Sequence, residues 1–186
     1  MSFQVVSGQG YIQDSTITPA KLTFMTPQYV GTTTLSAPAA TLATPTLDLD
    51  AETEYILSGS ITQTSGSTAT IKGVCNADTT ATNYYNRFFR IAGTSVSGNS
   101  LINNNTLESL ATNGHFDFIG RIIKEVGTDN PVIVLSISSG DGASVHSGKE
   151  IHLRWNNGAN LTAFTLSSDQ NLDAGSFIRV WKADIA

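Results

Sequence analysis

Apolar and polar positions alternate most regularly in two stretches of the chain. Residues 115–126, HFDFIGRIIKEV, set Phe116, Phe118, Ile122 and Val126 on one side and His115, Asp117, Arg121 and Glu125 on the other. That is the period of two expected of a strand with one wet face. Ile151, Leu153 and Trp155 likewise face away from Glu150, His152 and Arg154. Less regular runs at 53–63, 67–76, 83–92, 132–138, 161–166 and 176–182 are bounded by Gly, Asn, Asp and Ser, which predicts eight to ten short strands. Residues 93–105, GTSVSGNSLINNN, have no period and are dense in turn formers, so a long exposed loop is expected there. A second loop is expected over 138–149. Many strands with no alternating helices predict an all-β fold, an antiparallel jelly-roll-like β-sandwich in which two sheets bury each other's apolar faces.

The first 45 residues read differently. Residues 31–45, GTTTLSAPAATLATP, are built of Thr, Ala, Ser and Pro, with Pro38 and Pro45 removing ladder donors, and predict an extended connector. Ahead of it, Ile12, Ile17, Leu22 and Phe24 are spaced along a segment interrupted by Pro19 and too short to make its own core. Such a segment orders on a partner, with a helical turn possible where Thr18 precedes Pro19. The expected organisation is an extended N-terminal arm and connector over 1–45 and a sandwich domain over 46–186.

Composition fits this picture. Only 13% of the 186 residues are charged, and Thr, Ser, Asn and 16 Gly carry the polar surface, which suits pleated, half-exposed strands. The net charge is −5, and the ten Lys and Arg are scattered singly, which argues against nucleic acid as a partner. The segment MSFQVVSGQG has neither a basic start nor an apolar core, and no run of about 18 apolar residues occurs, so neither export by a leader nor a membrane partner is expected. The single cysteine, Cys75, allows no intrachain disulfide and reads as a small buried hydrophobe.

Catalytic patterns fail at the level of spacing. GTSVSG at 93–98 is not a nucleophile elbow, and GASVHSGKE at 142–150 has one residue too many before Gly148 and Glu150 where a phosphate loop needs Ser or Thr. His115, His146 and His152 lack zinc spacing, so no metal or other cofactor is expected. Asp169, Asn171 and Asp173 alternate like the first ligands of a calcium loop, but the glycine falls one position late and Val180 stands where the bidentate Glu belongs. A turn between strands accounts for the same residues. Asp48, Asp50, Glu52 and Glu54 read as a solvated row that deters edge pairing rather than as a glycosidase pair. Tyr84, Tyr85, Phe88 and Phe89 crowd one strand. Phe177, Arg179 and Trp181 share one face of the last strand while Ile178 and Val180 take the other, so that strand is either central or in contact with another subunit.

Asp14, Ile17, Thr18, Lys21 and Leu22 in IQDSTITPAKLTF resemble the attachment segments, of the form Asp-x-x-Ile-Thr-x-x-Lys-Leu, of tailed-bacteriophage tail fibres, head fibres and related virion proteins. GSFIRVWKAD at 175–184 is similar to the closing strands of phage β-sandwich appendage domains. The resemblance implies a non-enzymatic virion structural protein made in the host cytoplasm. Its arm, with Ile12 and Phe24 beside the five matching residues, would dock to other capsid or tail proteins, and its sandwich would project as a homotrimer with Phe177, Arg179 and Trp181 at the subunit interface. Capsid decoration and host attachment through a surface glycan are both compatible with it. A carbohydrate-binding module outside any virion is the alternative, marked by exposed aromatics on one sheet face, and a glycan depolymerase stands behind both.

Overall fold

A computed structural model describes residues 27–51, 54–64, 66–92, 94–125, 127–140 and 147–183. These form twelve strands: β1 Gln28–Thr34, β2 Ala39–Ala43, β3 Glu54–Thr62, β4 Ala69–Cys75, β5 Tyr84–Ala92, β6 Ser95–Ile102, β7 Thr106–Leu110, β8 His115–Lys124, β9 Pro131–Gly140, β10 Ser147–Trp155, β11 Phe164–Leu172 and β12 Phe177–Ala183. A single 3₁₀ turn, Ala81–Asn83, precedes β5. All pairings are antiparallel, and the fold is a two-sheet β-sandwich. One sheet has eight strands in the order β1-β12-β3-β8-β9-β10-β5-β6, and the other has four in the order β2-β11-β4-β7.

The alternation read from the sequence decides which side of each strand is buried. Phe116, Phe118 and Ile122 of β8 and Ile151, Leu153 and Trp155 of β10 lie in the core. They meet Ile71, Phe164 and Leu166 of the smaller sheet, and Ile178 and Val180 of β12 complete the layer. The strongly apolar last strand sits between β1 and β3, so its inner side is core.

Three expectations are corrected. Residues 31–45 are not a connector, because they carry β1, paired with β12, and β2, paired with β11. Pro38 lies in the turn between these strands and Pro45 just after the second, so neither removes a ladder bond inside a strand. Leu42 is 1% exposed, and Thr44 Oγ1 accepts the Phe164 N–H at 3.1 Å, which ties the segment into the sandwich. The sandwich therefore begins before residue 46. The loop expected over 93–105 is mostly strand β6, held by β5 through eight successive register pairs. The loop expected over 138–149 is likewise strand at both ends, 138–140 in β9 and 147–149 in β10, because the core and the β8 and β5 ladders hold them; residues 141–146 lie outside the described residues, as does the helical turn suggested near Thr18.

Candidate binding face

The outer face of the larger sheet gathers the exposed large apolar side chains among the described residues. Among the described residues, the exposed large hydrophobics are Tyr29, Val30, Tyr85, Phe89, Ile91, Val96, Ile102 and Ile119. By register all but Val30 point outward from this sheet, and Val30 sits at the β1 bulge between Tyr29 and Gly31. Single exposed hydrophobics are ordinary, whereas their concentration on one face is informative.

Two areas stand out, separated by Ser58, Ser60, Ser136 and Ser138 in register across β3 and β9. The first surrounds β12. Phe177 and Trp181 are half-buried on its outer side with Arg179 exposed between them, as the sequence predicted. Trp181 packs against Tyr29 with ring centroids 6.0 Å apart, and the Arg179 guanidinium lies 4.6 Å from the centre of the Phe177 ring. Neighbouring strands thus partly cover the aromatics. The other proposed contact residues, Ile12, Asp14, Ile17, Thr18, Lys21, Leu22 and Phe24, lie outside the described residues.

The second area spans β10, β5 and β6. Arg87 stands opposite His152 on β10 and Ser100 on β6, between Tyr85 and Phe89 on its own strand. Arg87 and His152 line two adjoining shallow grooves of about 270 and 200 Å³, with Tyr85 in the first and Phe89 in the second. Arg154 donates to Glu125 Oε2 at 2.8 Å, and His152 Nε2 lies 2.9 Å from Glu150 Oε1 on its own strand. Arg154 Nε is buried with no hydrogen-bond partner among the described residues. The grooves therefore combine flat rings with planar polar side chains. Sequence reasoning flagged the aromatics but not Arg87. Its signal was the alternation Tyr85, Arg87, Phe89, Ile91, which fixes all four on one face.

Several other residues singled out in the sequence make structural contacts, and His146 lies outside the described residues. Lys149, the lysine of the phosphate-loop-like run, lies in β10, donates to the Leu107 carbonyl and sits 4.6 Å from the centre of the Phe88 ring. Burial pulls its pKa below the usual value, and Arg90 adds to this while Glu108 opposes it. Asp169 Oδ1 accepts the Thr70 N–H at 2.8 Å and Asp173 Oδ1 accepts from Thr64 at 3.0 Å, so these two of the three calcium-loop-like residues brace neighbouring segments. Among the described residues no group of three or more His, Cys, Asp and Glu comes together to hold a metal ion. Asp48 and Asp50 are exposed while Leu47 and Leu49 are buried, and Asp50 pairs with Lys124. Cys75 is fully buried, which pushes its thiol pKa up and leaves it inert.

No protein-family model, curated protein or solved structure matches the chain.

Proposed function

We propose that the chain is a non-enzymatic structural protein of a bacteriophage virion, docked to the particle by its N-terminal segment and displaying the sandwich on the surface. The observation that carries this reading is the concentration of exposed apolar side chains on the outer face of one sheet, a surface fit for contact with other proteins. The spacing of Asp14, Ile17, Thr18, Lys21 and Leu22 supplies the virion part of it. The area around Phe177, Arg179 and Trp181 would form the subunit contact. The shallow, aromatic-lined grooves around Arg87 fit recognition of a surface.

A second reading, an oligosaccharide-binding module, is favoured by the groove between Tyr85, Arg87 and Phe89. Flat rings stack on sugar faces, and paired planar side chains match vicinal hydroxyls. One experiment separates the two. Particles lacking the protein are incubated with the full chain or with an Ile17→Asp, Leu22→Asp variant, and both chains are also run over immobilised polysaccharide. The virion reading expects the full chain to decorate particles and the variant to fail, and equal decoration by both would overturn it. If the full chain ignored particles and were retained by the polysaccharide until Tyr85→Ala released it, the second reading would replace the first.

A further inference from the structure

Four strands close the two sheets at their edges, and three of them resist pairing with another chain. β1 carries a bulge between Tyr29 and Gly31. β2 and β7 are five residues long, and their pairings with β11 and β4 shift register. Short or bulged edges are poor templates for a further strand. β6 has none of these protections. It pairs with β5 over eight successive residues without a shift, and its sequence SVSGNSLI holds no charge and no proline. Every residue but Leu101 is exposed, so both faces as well as the edge are open.

The direction of its free backbone groups follows from the hairpin. Asn103 N–H donates to the Tyr84 carbonyl at 2.9 Å, which makes these two a hydrogen-bonded pair one step beyond the Tyr85 and Ile102 pair. Bonded and non-bonded pairs alternate along an antiparallel ladder. Val96, Gly98, Ser100 and Ile102 therefore turn their N–H and C=O groups to the open edge. There the Ser100 N–H is met at 2.8 Å by Oδ1 of the adjacent Asn99, a local substitute for a missing strand.

We propose that this edge pairs with the same edge of a second copy, antiparallel about a two-fold axis at Asn99. The strand is self-complementary in that register. Val96 falls opposite Ile102 of the second copy and Gly98 opposite Ser100, each pair occurring twice. All four residues project from the same sheet face, as directly opposed residues must. Shifting the register by two in either direction leaves neither Val96 nor Ile102 directly opposite an apolar residue of the second copy, and an odd shift would oppose residues from different faces. Val96 is 63% and Ile102 66% exposed in the single chain, and pairing places them in a row with Ile91 and with Tyr85 of the second copy. Because β6 is uncharged, no like charges meet. The two copies would share one continuous sheet, and this contact stands apart from the virion reading.

The test uses the full chain carrying Asn99→Cys, since Cys75 is fully buried and stays out of the reaction. Residue 99 falls in a non-bonded pair with its own counterpart, at a Cα separation of about 4.5 Å, within reach of a disulfide. With oxidised glutathione, a cross-linked dimer is expected at least about tenfold faster than from Val96→Cys, whose counterparts lie roughly 20 Å apart. Adding Val96→Lys and Ile102→Lys to Asn99→Cys places lysines opposite each other and should abolish the cross-link with the β-sheet circular dichroism unchanged. Equal cross-linking at 99 and 96, or a cross-link that survives the two lysines, would overturn the pairing. So would a chain that scatters light as an oligomer while Asn99→Cys stays uncross-linked, because its contact would then lie elsewhere.

Discussion

At the scale of single residues, Asp78 holds the turn that carries the chain from the smaller sheet to the larger. Beyond β4 the backbone passes through left-handed Asn76 and Ala77, with φ of 48° and 59°, conformations that need local support. Asp78 provides it: Oδ2 accepts the Trp155 indole N–H at 2.8 Å and the Asn83 amide at 2.7 Å, and Oδ1 accepts the Thr80 N–H at 2.9 Å. Tyr84, buried beside them, donates to the Asp78 carbonyl at 2.7 Å and accepts the Cys75 N–H at 2.9 Å. Burial alone would raise the Asp78 carboxyl, but the bonds from Trp155, Asn83 and Thr80 outweigh it and hold the pKa well below the usual carboxylate range. A carboxyl depressed in the folded state stabilises it above the unfolded pKa, and that contribution fades as pH falls below about 4. Asp78→Ala should therefore lower stability at neutral pH by about 2–4 kcal/mol, through loss of charge-assisted bonds and an unpartnered indole N–H. The gap between variant and wild type should narrow in urea melts taken at progressively lower pH. A gap that stays constant down to strongly acidic pH would show that the carboxylate charge is not what braces the turn.

At the scale of elements, bare positions in the larger sheet are filled by their neighbours. Gly59 in β3 faces Phe118 across the β8 pairing, and a Cβ there would meet both the Phe118 ring and the Phe177 carbonyl oxygen at 2.5 Å. The ring occupies the space that a side chain would need. Gly59→Val should cost about 2–3 kcal/mol by overpacking, read as a lower urea midpoint with unchanged slope. Gly59→Ala combined with Phe118→Leu should lose less than Gly59→Ala alone, and equal losses would locate the strain at the immovable carbonyl instead. The same packing logic explains which strands were legible. In β8 and β10 one face is core and one is wet, so burial writes a period of two into the sequence. In β6 neither face is buried, so nothing imposes a period, and its Gly, Ser and Asn look like a loop although β5 supplies its ladder bonds. β1 and β2 escaped notice because Thr, Ala and nearby prolines resemble a linker, while the Thr44 bond and the burial of Leu42 are tertiary facts. The outward side of β12 was legible as aromatic and cationic. The groove was not, since Arg87, Ser100 and His152 come from three strands that only the folded register aligns.

At the scale of the whole molecule, the N-terminal strands have an unusual place, because β1 closes one edge of the larger sheet and β2 one edge of the smaller. A segment of sixteen residues, 28 to 43, thereby joins both layers. Its removal would uncover the ladder of β12 and that of β11 together, along with the aromatic contact of Tyr29 on Trp181 and the buried Leu42. Two open edges and a breached core act on the same folding equilibrium, whereas a chain that keeps residue 27 onward retains both strands. A chain beginning at Pro27 should thus melt cooperatively within a few degrees of the full protein, but fail to decorate particles if the N-terminal segment is the docking element. A chain beginning at Thr46 should lose cooperative melting, or fall in melting temperature by more than about 10 °C, as expected when a domain of this size loses several kcal/mol. Thermal denaturation followed by circular dichroism distinguishes the outcomes. Equal melting of the two truncated chains would mean that β1 and β2 merely rest on the sandwich, and the docking segment would then extend to residue 45.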